Sequence, residues 1–320
     1  MQASRWRSLL AACLLACALP CALAVECIVP AKPGGGMDAS CKLLRRVMQE
    51  QGSKEAFNLS YLPGGIGAVA WGSVAAQRRG GPDSLVAFSG GSLLGLAQGK
   101  YGRADVSDVR WVAGIGIDHG MVAVRSDAPW HDLKQLLQAM RKDPASVTVG
   151  LSGTVGSQDW LKFSMLTARA GMAPRQFRFV ALEGGGDSFA ALQAGHVQVV
   201  SGDASEAAHF IAEGRVRILA VLSEQRLPGL LKHVPTAREQ GYEVVWPIIR
   251  GFYMSPHVSE ASYRYWVRYF DKALADPAFD RQRSQSGLQP FAMTGKPLSD
   301  YVAQAVARYR KQSQELGLVR

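Results

Sequence analysis

The sequence predicts an α/β protein of two lobes, each a mostly parallel sheet flanked by helices. Three observations carry this expectation. From Val25 onward a short apolar run, a glycine-rich turn and a helically spaced segment succeed one another repeatedly, the alternation that builds parallel sheets with helical cover. The chain has 320 residues, which suits two ordinary cores better than one. The unit runs in two blocks, before residue 100 and after residue 120, and past Gly241 the composition shifts to aromatic-rich helices without further glycine turns.

The first 24 residues read as an export signal. Arg5 and Arg7 are its basic start, Ser8 to Leu19 its apolar run, and Ala22-Leu23-Ala24 a small-residue cleavage site placed after Ala24. Cys13 and Cys17, each preceded by a small residue, offer a lipoprotein signal as the rival reading. The run is too short to span a bilayer, since a membrane helix needs roughly 18 apolar residues or more.

The first unit is the clearest. Cys27 to Ala31 is a strand, Pro33-Gly34-Gly35-Gly36-Met37 a turn, and Asp38 the N-cap of a helix to Gln49 that buries Leu43, Leu44 and Val47. Leu59 to Leu62 leads through Pro63-Gly64-Gly65-Ile66-Gly67 into a small-residue helix over 68–77. Leu85 to Phe88 leads through Ser89-Gly90-Gly91-Ser92 into a short helix. After a helix over 133–141, Val147 to Gly150 is a strand entering the Ser152 to Ser157 turn and a helix over 158–170. Phe177 to Leu182 enters Glu183-Gly184-Gly185-Gly186, with Asp187 as cap of the next helix, and Val197 to Val200 enters Ser201-Gly202-Asp203 and a helix over 204–213. Val216 to Leu222, apolar apart from Arg217, reads as a buried strand. Ser259 to Ala275 and Leu298 to Gly317 complete the helices.

Composition excludes some function classes. The net charge of +10 falls by two once Arg5 and Arg7 leave, and the basic residues are scattered, without interleaved aromatics, so nucleic acid is not an expected partner. Cys27 and Cys41 are the cysteines left after the signal, in an oxidising compartment. Their pairing stays open, because strand start and helix first turn can lie beyond the roughly 7 Å between Cα atoms that a bridge tolerates.

Five glycine turns join a strand's carboxyl end to a helix's amino end, the edge of an α/β sheet where ligands bind. Such turns favour anions. Glycine lets the chain pass close, and the unpaired N–H groups of the first helical turn present the positive end of the dipole. The candidate ligand-binding residues are therefore Gly34, Gly35, Gly36, Asp38, Gly64, Gly65, Ser89, Ser92, Ser152, Thr154, Gly156, Ser157, Gly185, Gly186, Asp187 and Asp203. The turns at Pro33 to Met37 and Ser152 to Ser157 are expected to oppose one another from different lobes. For Asp38 and Asp187 capping is the plainer role, and for the serines and Thr154 local turn formation competes with ligand donation.

Enzyme motifs fail. Gly114-Ile115-Gly116-Ile117-Asp118-His119-Gly120 has a residue too many for a dinucleotide fingerprint and runs into a strand, so its glycines read as close packing. There is no P-loop and no G-x-S-x-G elbow. The six histidines show no i, i+4 pair, and the mature cysteines no C-x-x-C, so neither metal nor cofactor is expected.

The segment Glu26 to Asp38 resembles the opening of the substrate-binding receptors of tripartite tricarboxylate transporters, the TctC/Bug family. Pro63 to Gly67, the Gly153 to Ser157 turn, Glu183 to Asp187, Leu192 to Val197, Arg217 to Val221 and Val234-Pro235-Thr236 come in that family's order. Arg250-Gly251-Phe252 after Trp246 is similar to the tricarboxylate branch, while Met37 stands where a larger aromatic is common, a departure that bears on ligand shape. The resemblance implies a periplasmic two-lobe, Venus-flytrap fold with two crossing hinge strands near Met121 to Val124 and Val244 to Arg250. Lobe 1 is then 25–122 with 246–320, and lobe 2 is 123–245. It also implies a monomer that binds a tri- or dicarboxylate, citrate-like, and hands it to the membrane components of the transporter. A sensor role toward a histidine-kinase ectodomain is the alternative, and an exported α/β hydrolase or oxidoreductase the lesser one.

Overall fold

The computed structural model describes residues 25–53, 55–77, 84–173 and 176–319; the expected export signal, its cleavage site and its three cysteines lie outside the described residues. The first block is β1 (Val25–Val29), α1 (Gly36–Glu50), β2 (Phe57–Tyr61), α2 (Ala68–Gly72), β3 (Ser84–Ser89) and α3 (Gly90–Ala97). A long strand comes next, β4 (Arg110–Arg125). The second block is α4 (Leu133–Lys142), β5 (Thr148–Ser152), α5 (Gln158–Arg169), β6 (Arg178–Leu182), α6 (Gly185–Gln193), β7 (Val199–Asp203), α7 (Ala204–Ala212) and β8 (Val216–Leu222). The chain ends with β9 (Pro247–Met254), α8 (Glu260–Leu274), α9 (Pro277–Gln285), β10 (Met293–Thr294) and α10 (Gly295–Glu315).

Two sheets share one strand. The first runs β2-β1-β3-β9-β4, with β1 parallel to β2 and β3, and β9 antiparallel to β3 and β4. In the second, β5 is parallel to β6 and β7, while β7 and β8 lie antiparallel to β4. The half of β4 from Arg110 to His119 belongs to the first sheet, and Gly120 to Arg125 to the second. Its glycines are packing glycines: a Cβ on Gly114 would stand 2.5 Å from the Phe291 ring, and one on Gly120 would stand 2.5 Å from Lys162 Cδ. Crossing back, the Trp246 N–H donates to Leu222 O and its carbonyl accepts from Gly120 N.

Each sheet has its own apolar layers. Val25, Cys27, Val29, Leu85, Phe252, Leu43 and Trp266 pack together on one side of the first sheet. Val122, Val149, Leu151, Val199, Leu136 and Phe163 do the same on the second. At roughly 25 cal/mol per Å² of apolar surface removed from water, such layers are the main stabilising contribution in each sheet.

Two helix starts differ from expectation. The α1 helix begins at Gly36 with Gly35 as N-cap, and α6 at Gly185 with Gly184 as N-cap, so Asp38 and Asp187 are third residues of their helices, not caps. Asp38 instead reaches back to accept the Gly34 N–H at 2.8 Å, which satisfies a donor ahead of the helix while its charge faces the positive dipole end. The small-residue helix ends at Gly72 and continues as a π-helical turn, Ser73–Gln77. The α9 helix is an addition to the expected elements, although Asp276 caps it and Pro277 opens it. Cys27 and Cys41 form a disulfide with Cα atoms 5.9 Å apart. Because α1 starts at Gly36, Cys41 lies in its second turn, where the helix packs directly on β1.

Candidate ligand-binding cleft

The glycine turns at the carboxyl ends of β1 and β6 meet backbone to backbone. A Cβ on Gly186 would stand 2.5 Å from Pro33 O, one on Gly34 would stand 3.3 Å from Gly186 Cα, and one on Gly35 would stand 3.7 Å from Gly185 N. At Gly186 a side chain would collide with the facing turn. At the rim, Lys32 Nζ and Asp187 Oδ2 pair at 2.8 Å across the same seam. Beside it lies a small cavity of about 50 Å³, walled by Gly35, Gly36 and Met37 on one side and by Gly184, Gly185 and Ser152 on the other.

The cavity floor is a layer of buried charge. Arg250 of β9, only 2% exposed, donates to Asp118 Oδ2 at 2.7 Å and Asp203 Oδ2 at 2.6 Å. Its guanidinium lies against Gly36, where a Cβ would stand 2.1 Å from Nη2, so α1 can begin there only with glycine. Lys162 of α5 donates to Asp203 Oδ1 at 2.6 Å and to Gly202 O, and pairs with Asp159 Oδ1 at 2.7 Å. Ser205 and the His119 N–H complete the shell of Asp118. Glu206 of α7 reaches across the seam, its Oε1 accepting the Gly36 N–H at 2.9 Å and its Oε2 the Asp203 N–H at 3.2 Å. Buried Arg250 Nε and Gln158 Oε1 make no hydrogen bond among the described residues.

Among the described residues of this layer, four carboxyl groups thus face two cations, and the imbalance shows in their titration. Burial, then the neighbouring Asp203 charge, pushes the Glu206 carboxyl up to about 8. Burial also raises Asp159 in spite of Lys162. Burial works against ionised Asp203 too, but Lys162 and Arg250 outweigh it and hold that carboxyl below the usual range. Lys162 and Arg250 are opposed by burial and held charged by these acids. The layer holds more acids than cations, and Glu206 is the acid poised near neutrality.

Residues 96–318 match the family model described as the tripartite tricarboxylate transporter family receptor, TctC. The chain belongs to this family. It is 23% identical over 216 residues to a Cupriavidus necator protein named for the gbd 5' region, a match that covers 67% of this chain and 64% of that protein, less than two thirds of the relative's length. Among solved structures, the periplasmic binding protein BugD superposes with a TM-score of 0.80 at 19% identity, covering 92% of this chain and 98% of that one. An R. palustris protein solved with adipate gives 0.80 at 19% identity, covering 92% and 97%. The fold is therefore the two-lobe fold of periplasmic binding proteins, with β4 running through both sheets and the segment at Trp246 leading back from the second sheet into β9.

In this TctC-family receptor, Gly35, Gly36, Ser89, Ser152, Gly185 and Asp203 line the cavity. Gly34, Gly186 and Asp187 form the seam beside it, and Asp38 lies behind Gly34, bonded to Lys42 and Tyr61. The turn facing Pro33 to Met37 is Glu183 to Gly186; of the Ser152 to Ser157 turn, Ser152 lines the cavity while Gly153 to Ser157 turns elsewhere. There Gly153 packs on Ile66, Gly156 on Leu318 and Gln98, Thr154 is exposed, and Ser157 caps α5. Gly64 and Gly65 set up Ile66, which has a positive φ of 54° and reaches the cavity wall, a costly geometry for a β-branched residue. Ser92 Oγ accepts the Ser89 N–H inside α3.

Arg250, Lys162, Asp118, Asp159, Gln158 and Glu206 join the site without being among the candidates from sequence. Arg250 and Asp118 each interrupt an apolar strand, a charge that must find a partner once the strand is buried, and Lys162 comes three residues after Asp159 on a helix. Those signals are present in the sequence. Glu206 gives none, because an acid in a helix's first turn reads as solvent-facing.

Proposed function

We infer that this chain is an exported periplasmic receptor that captures a small tri- or dicarboxylate between its lobes and delivers it to the membrane components of a tripartite transporter. The lobes are 25–122 with 246–320, and 123–245. One observation carries the reading: the Gly36 N–H at the amino end of α1 holds a carboxylate, that of Glu206, in the seam where two glycine turns converge. A ligand carboxylate meets the same donors, and the glycines leave room for no side chain between it and the backbone. The relative solved with adipate supports the ligand class.

A cavity of about 50 Å³ is far below the roughly 300 Å³ at the lower end of ligand pockets, so capture requires the lobes to part and reclose about the crossing strands. Ligand contacts made from both walls exist only when closed, and these shift the population. Isothermal titration of the purified protein with citrate, malate, adipate and succinate tests the reading. Saturable binding of at least one is expected, and heats no larger than dilution for all four would refute it.

A further inference from the structure

Glu206 occupies the donor that the carboxylate-receptor function gives to the ligand. It belongs to α7, beside the second sheet, yet its carboxylate lies against α1 of the first: Gly36 N–H donates to Oε1, and Gly35 is close enough that a Cβ there would stand 3.6 Å from the same oxygen. On the opposite wall a Cβ at Gly185 would stand 2.2 Å from Glu206 Cδ, so that glycine is shaped to this carboxylate. A ligand and Glu206 cannot both take the Gly36 N–H in this geometry.

We propose that Glu206 is an internal competitor for the α1 amino end and therefore a specificity determinant: an incoming carboxylate gains that site only by displacing it. The proposal rests on the carboxylate-binding reading of the cleft. The groups facing Glu206 set the outcome of its displacement. Asp203 at the end of β7, Asp118 on β4 and Asp159 on α5 repel it, Glu183 lies in the turn before α6, and Arg250 on β9 and Lys162 on α5 are already shared among the aspartates. Asp38, Lys42 and Arg46 of α1 border its outer side, where Lys42 is paired with Asp38. An ionised Glu206 beside a bound anion would add a fifth negative charge to a layer with two cations. It is therefore protonated in the complex, so above the value near 8 at which the free carboxyl ionises, binding takes up one proton from solvent at a carboxyl oxygen, while below it the proton is already in place.

Because the free receptor holds this carboxyl near 8, affinity is set by pH around that value. Titrating wild type and Glu206→Gln with adipate and with citrate at pH 7 and pH 9 tests the coupling. The wild-type Kd is expected to rise about tenfold between the two, because the carboxyl near 8 keeps its proton over the lower half of that interval and must regain it over the upper half. In Glu206→Gln the Kd is expected to be lower than wild type at pH 9 and flat with pH. A wild-type profile that is flat, or a Gln variant with the same slope as wild type, overturns the proposal. If no carboxylate binds either protein, the functional reading fails, and the competitor is judged by small-angle scattering of ligand-free Glu206→Ala at pH 9. A larger radius of gyration than wild type shows the seam released by loss of Glu206, and an identical one overturns its role there.

Discussion

Replacing Arg250 by Met is the sharpest test of the buried charge layer. The side chain is 2% exposed and pairs with Asp118 at 2.7 Å and Asp203 at 2.6 Å. Removing one partner of a buried pair leaves uncompensated charge and costs about 3–5 kcal/mol. Asp203 keeps Lys162, but Asp118 is left with neutral donors from Ser205 and His119, so most of the loss falls on Asp118. At roughly 2–4 °C per kcal/mol for a chain of this size, the melting temperature should drop by about 10 °C. Urea unfolding followed by circular dichroism measures the loss, and the Asp118→Asn and Arg250→Met double variant should recover part of it, with a coupling energy of at least about 1 kcal/mol. A loss under about 1 kcal/mol for Arg250→Met, or strict additivity in the double variant, would refute the view that this pair holds the strands together.

Three further outcomes are expected. Cys41→Ser, opening the loop from Cys27, should lower stability by about 3 kcal/mol in oxidising buffer and change nothing once wild type is reduced, read by denaturant melts with and without dithiothreitol. Gly186→Ala puts a Cβ 2.5 Å from Pro33 O and holds the two turns apart, so carboxylate affinity should fall at least about tenfold by titration while the unfolding midpoint stays near wild type. The raised Glu206 carboxyl gives a stability sign: its folded state prefers the proton, so wild type loses stability relative to Glu206→Gln as pH rises from the unfolded carboxylate range to about 8, and no further above it. Thermal melts of both proteins at pH 5, 7 and 9 check this, and a constant difference would contradict it.

Much of the fold is legible because its rules are local. An apolar run broken only by Arg217 places β8 at Val216–Leu222, and helical spacing places α5 and α8 to within a residue. The helix starts at Asp38 and Asp187 read too late, because a carboxylate three residues into a glycine-led helix imitates a cap, and that of Asp38 bonds backward to the preceding turn. The cleft is only half legible. Glycine turns can be found one at a time in a sequence, but which turn faces which depends on sheet order, and β6 rather than β5 carries the partner of the Pro33 to Gly36 turn. The charge layer depends on β4, β7, β9 and α5 converging, a long-range fact that spacing along one strand cannot hold.

The position of β9 between β3 and β4 bears on how the molecule is made. The chain is synthesised through the whole of the second sheet before the strand that joins the two outer parts of the first sheet exists. Until residue 254 has emerged, β3 and β4 each present a bare edge to the other's missing neighbour, and the Arg250 that neutralises Asp118 has not arrived. Fragments ending before β9 should therefore aggregate through those edges, and the mature protein should acquire its architecture only after synthesis is nearly finished.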